Sequence, residues 1–206
     1  ELLPVTQLGG VQQDAARVLA QMPATTVAQL EDVAARLRAL PAAVAQTLAL
    51  LEAGRVAGVT PPRITLRDVP QQVENQIPAD PLASPLLHAF TRLPDTIPVA
   101  AQEELRAGAV AAYTEQVVPA FRRLHDYLAD TYLPAARESV ALADLPDGTA
   151  WYAFDVAEVT TTTLTPQAIH DLGLAEVARI RAAMEAVVAE SGFTGDLSAF
   201  MKHLRT

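Results

Sequence analysis

Apolar side chains recur every third or fourth residue along almost the whole of this chain, and that spacing admits few folds. Val11, Ala15, Val18, Leu19 and Met22 form one stripe, which Pro23 stops. Val27, Leu30, Val33, Leu37 and Leu40 form the next, with Thr25 or Thr26 placed to cap its first turn. Pro41 suits the first position of a third helix, which carries Val44, Leu48 and Leu51 and runs out near Gly54 or Gly58, before Pro61-Pro62. Short connections predict that these three segments pack as antiparallel neighbours. A weaker helix is predicted from about Leu66 to Ile77. The period-two alternation of strands is missing, so the expected class is all-α.

Residues 78–98 break the pattern with five prolines, at 78, 81, 85, 94 and 98. This stretch reads as a connector with at most one short helix at Leu86–Phe90, and as the best internal boundary in the chain. It divides an N-terminal helical hairpin region, 1–77, from a long-helix region, 99–206. Beyond it Val110, Tyr113, Val117, Phe121, Leu124, Leu128 and Tyr132 keep step. A helix from about Pro98 to Tyr132 would be roughly 50 Å long. Pro119 lies inside it and predicts a kink, and Pro134 ends it or bends it again. Further helices are predicted at about Thr149–Val159, from Thr165-Pro166 to a stop at Gly192, and from Leu197 to Leu204. The expected architecture is a bundle of about eight helices with one long kinked member.

Composition narrows the function classes. The formal charge is −9, from 24 acidic and 15 basic residues, which repels a phosphate backbone and argues against nucleic-acid binding. There is no cysteine, so disulfides, zinc fingers and thiol catalysis are out. No run approaches the ~18–20 apolar residues of a membrane span. The nine glycines are scattered. They form neither a phosphate-binding loop nor a nucleophile elbow.

Four histidines remain, His88, His125, His170 and His203, and no two sit at metal-ligand spacing. His125 lies among Arg122, Arg123, Asp126 and Asp130, and reads as part of a solvated charged face. His170 falls in the second turn of a capped helix, where the helix terminus favours its neutral form. It is either packed against a backbone carbonyl or available to a substrate. The run Thr160 to Thr163 is a poor helix interior and reads as a loop, or as a row of hydroxyls lining a groove. Trp151-Tyr152 on a helix is ordinarily a core pair.

From Tyr132 onward the chain carries a dense succession of segments: Tyr132-Leu133-Pro134-Ala135-Ala136-Arg137, Leu145-Pro146-Asp147-Gly148, Trp151-Tyr152, Thr161-Thr162-Thr163-Leu164-Thr165-Pro166, and Ile169-His170-x-Leu172-Gly173-Leu174. Together with Gly58-Val59-Thr60-Pro61-Pro62-Arg63, they resemble the bacterial family known as domain of unknown function 885. Members of that family are several times longer, helical, often exported, and similar in fold to helical zinc peptidases. The resemblance implies periplasmic or secreted localisation. The family's metal motif, a His-Glu-Ala-x-Pro-Gly-His-His segment, lies downstream of the matched region and does not occur here. The resemblance therefore carries no catalytic, cofactor-binding or metal-ligating residue onto this chain, and zinc is expected only in the full-length protein.

The expectation is a non-catalytic helical portion of a zinc-dependent metallopeptidase-like protein, one structural unit cut from a larger chain. It would wall a substrate cleft, with Trp151, Tyr152, Thr161, Thr162 and His170 lining it. Its partners would be the missing C-terminal part and a peptide substrate. The alternative is a stand-alone helical module that binds a partner helix or a second copy of itself. A third class, a hydrolase assembled from the dispersed histidines, would carry stoichiometric metal.

Overall fold

The computed structural model describes residues 2–205. It is 72% helical, with no strand among the described residues. Contacts divide it into two compact units, one up to Pro146 and one from Asp147 onward.

The first unit is organised around two long helices. Helix α1 spans Val11–Gln21, and α2 spans Val27–Val56. Thr26 caps α2, accepting from the Gln29 amide while the Gln29 side chain accepts from the Thr26 amide, a reciprocal capping box. The helix expected to start at Pro41 does not exist separately, because Pro41 sits inside α2. The reason lies in the buried stripe. Leu30, Val33, Leu37, Leu40, Val44, Thr47, Leu51 and Gly54 step by three and four straight past the proline. One lost hydrogen bond costs less than breaking that continuous buried face. Gly58, at φ +71°, closes the helix: its amide donates to Arg55 O and the Val59 amide to Gly54 O. This paired arrangement satisfies the terminal carbonyls. Gly54 has a second duty, since a Cβ there would lie 2.6 Å from Leu2 O and 2.8 Å from Val59 O.

Helix α3 consists of two turns, Arg63–Leu66 and Val69–Glu74. Helix α4 combines short 3-10 turns at Pro81–Ala83 and Pro85–Leu87 with His88–Thr91. The proline-rich stretch lies within the first unit rather than between units. Its Leu86, Leu87, Phe90, Leu93 and Ile97 are all buried in the core. Prolines interrupt helices there without keeping the chain out of the interior.

Helix α5 is one bent helix of 37 residues. It runs as α-helix over Val99–Ala112, π-helix over Tyr113–Val117, α-helix over Val118–Asp126, π-helix over Tyr127–Tyr132 and a last turn at Leu133–Ala135. Each π turn immediately precedes a proline. Val118 donates to Tyr113 O just before Pro119, and Leu133 donates to Leu128 O just before Pro134. A proline cannot donate and its ring crowds the preceding turn, so the wider turn relieves both conflicts and bends the helix there. The face turned inward carries Tyr113, Val117, Phe121, Leu124, Leu128 and Tyr132, all buried. It packs along α2, with α1 and α3 closing the core around them.

The second unit contains α6 at Gly148–Thr160, α7 at Pro166–Glu190 and α8 at Leu197–His203. Thr165 caps α7 by accepting from the Ala168 amide, and Gly192 at φ +71° follows its end. This unit has a thin interior: of the apolar side chains on α7, only Val188 is buried.

Leu37 is fully buried in the first unit, whereas Leu172 is 54% exposed in the second. Leu37→Ala is expected to destabilise the protein by about 2–5 kcal/mol in chemical denaturation. Leu172→Ala is expected to stay within about 0.5 kcal/mol of the parent.

Candidate functional site

The residues expected to line a cleft all fall in the second unit. Trp151 and Tyr152 lie on α6 and are 42% and 49% exposed, so they are not the core pair that the sequence suggests. Trp151 and Phe154 flank a depression of about 320 Å³ with Ala150 and Asp155. His170 is exposed on the second turn of α7. No hydrogen bond, ion pair or ring contact among the described residues joins His170 to Trp151, Tyr152, Thr161 or Thr162.

The threonine run forms the turn between α6 and α7, and most of its hydroxyls bond locally. Thr160 Oγ1 donates to Val156 O, and Thr161 Oγ1 donates to Thr160 O. Thr162 Oγ1 lies 3.0 Å from Thr160 Oγ1 and accepts from the Leu164 amide. Thr161 adopts φ +52°, an uncommon left-handed conformation for a β-branched residue, and it terminates α6. Side-chain-to-backbone bonds of this kind compete with helix and favour a turn.

The histidines stay apart: His88 on α4, His125 on α5, His170 on α7 and His203 on α8. Among the described residues no group of three or more His, Asp or Glu side chains is placed to hold a metal ion. The donor set of a zinc centre is not assembled by the described residues, and no chemical step is derived through one. His125 is more engaged than a solvated face suggests. Its Nδ1 lies 3.0 Å from Asp126 and its Nε2 3.4 Å from Glu74 of α3, beside a cavity that Arg122 also lines.

Two polar groupings in the first unit escape a sequence reading. In one, Arg55 binds Glu52 through two bonds of 2.8 Å, and the Tyr127 hydroxyl donates to Glu52 at 2.7 Å. The Glu52/Arg55 spacing is visible in sequence, but Tyr127 comes from another helix. The Arg55 guanidinium, then the Tyr127 hydroxyl, hold the Glu52 carboxyl down at about 2. Burial, then the bond to Glu52, push Tyr127 up to about 12.

The other grouping joins two segments that carry the family resemblance. Arg63 donates to Pro134 O and Ala136 O, capping carbonyls at the end of α5. Arg137 Nε donates to Thr60 O, and its Nη1 donates to Ser139 O and Ala141 O. The Arg63 amide donates to Arg137 O across a lone parallel bridge. Five backbone carbonyls are thus held by two guanidinium groups, which makes this a structural clasp.

The architecture is that of an all-α protein whose polar groupings tie helices together. Within that class the family is defined. A model of a bacterial protein family of unknown function, DUF885, matches residues 1–206, and the chain belongs to that family. No curated protein matches it. The crystal structure of a protein described as a "putative lipoprotein" from Colwellia psychrerythraea has the same fold, with a TM-score of 0.81 at 22% sequence identity. The match covers 98% of this chain but 35% of that one, so this chain spans about a third of its length.

The Glu52 carboxyl contributes stability above its ordinary 4.5, and that contribution is lost as pH falls toward about 2. Tyr127→Phe is therefore expected to lower Tm at pH 7, with the deficit shrinking at pH 2. Thermal denaturation at the two pH values checks it. An equal deficit at both would mean that the hydroxyl acts only through packing.

Proposed function

We propose that this chain is a non-catalytic helical portion of an exported, zinc-dependent metallopeptidase-like protein, and that its second unit forms part of the substrate cleft. The observation that carries the reading is the ratio of lengths. The whole chain follows one fold that occupies only 35% of a solved relative. Room for a metal centre therefore lies outside the matched region. Zinc would be held there, by residues that this chain does not supply. The description of that relative as a lipoprotein supports export, to the periplasm or beyond. No helix among the described residues is long and apolar enough to cross a membrane.

On the cleft side, Trp151 and Tyr152 offer exposed aromatic faces to apolar side chains of a peptide, and His170 offers an imidazole. Thr161 and Thr162 take part chiefly by fixing the turn that separates them. The second reading is a stand-alone helical binding or oligomerisation module. The exposed apolar surface of α7 favours it, since such patches mark docking faces.

The test uses the product of the natural gene. Its intact mass is expected to be well above 21.9 kDa, with bound zinc by elemental analysis and hydrolysis of a mixed peptide library. In that protein His170→Ala and Trp151→Ala are each expected to lower kcat/KM on the order of tenfold with zinc content unchanged. Unaltered turnover in both variants would remove the cleft. A product of 21.9 kDa that forms a clean oligomer would put the binding module first.

A further inference from the structure

Helix α7 is 25 residues long, yet Val188 is its single buried side chain. A helix of that length in a folded protein normally buries one face. Its apolar face is present and uncovered: Val177, Ile180, Met184 and Val187 are 65%, 47%, 38% and 56% exposed. Their spacing of three, four and three residues is the seam of helix-on-helix packing. Phe200, Met201 and Leu204 of α8 stand across from this seam. The two helices enclose an apolar groove of about 370 Å³ in which the only charged lining side chain is Arg179.

We infer that this groove is the seat of an amphipathic helix from the remainder of the same polypeptide. This rests on the reading that the chain is part of a longer protein. Three observations select that occupant. The solved relative devotes the larger part of its chain to residues outside the match, so ample polypeptide exists to cover the face. Leu204 itself lines the groove, so a polypeptide continuing past it leaves from the rim and meets the groove at high local concentration. The charged neighbours on α7 already pair with one another, Arg179 with Glu176 and Arg181 with Glu185. The rim therefore calls for apolar side chains rather than for a charged partner. A second copy fits less well, because a groove placed on a two-fold axis faces another groove rather than a ridge.

The three methionines provide the test, since peroxide converts exposed methionine to the sulfoxide. Met184 and Met201 report on the groove, while Met22 in the first unit is the internal reference. Both groove methionines are expected to oxidise on the order of tenfold more slowly in the natural gene product than in this chain, with Met22 unchanged. Ile180→Asp is expected to lower Tm of the natural product by more than that of this chain. Equal oxidation rates, equal Tm shifts, a natural product no longer than this chain, or protection that arises from dimers of this chain would each overturn the inference. Zinc content and peptide hydrolysis of the same sample separate the two proposals. Protected methionines without zinc or hydrolysis leave the groove assigned and remove the peptidase. Exposed methionines in an active zinc protein do the reverse.

Discussion

The first unit depends on one seam, the contact between the buried stripes of α2 and α5. Both stripes run past a proline inside their helix, and both survive it. In α2 the helix simply continues through Pro41. In α5 the backbone widens into a π turn ahead of Pro119 and again ahead of Pro134. The difference shows which term dominates. Burying an unbroken row of leucine, valine and aromatic side chains outweighs the local loss of a hydrogen bond or two. The remaining elements of the unit are laid against that seam, including the proline-rich α4, which contributes Phe90 to the core.

The seam needs its ends fixed, and the two arginines do this. Terminal carbonyls of a helix have no partner within it. Arg63 takes up those of Pro134 and Ala136, while Arg137 reaches back to Thr60. The result ties the exit of α2 to the exit of α5. Two family-like segments, 58–63 and 132–137, are thus the two halves of one contact, which accounts for their character without any role in chemistry.

Much of this was legible in the residues. Thr26 and Thr165 announced helix starts, Gly58 and Gly192 announced ends, and the long bent helix followed from its spacing and its prolines. The continuity of α2 was also readable, because the three-four stepping does not change phase at Pro41, but the proline was the louder signal. Proline density likewise drew attention to 78–98, although helix breaking and burial are separate properties. The site was less legible. An apolar stripe states that something covers it and does not state what. Trp151, Tyr152 and the α7 stripe therefore read as core and are found exposed. The Glu52–Tyr127 pair could not be read at all, since nothing local links residues 75 positions apart.

The π turns of α5 have a consequence for how the gene can change. A turn that closes over five residues instead of four holds, in effect, one residue more than its neighbours. Removing a residue from either turn restores a plain α-helix and rotates everything beyond it by about 100°. After Tyr113–Val117 that rotation would carry Phe121, Leu124, Leu128 and Tyr132 out of the core together. Helix α5 therefore has a residue count that is fixed by phase, and length variation among related chains should collect in the loops on either side of it rather than within it.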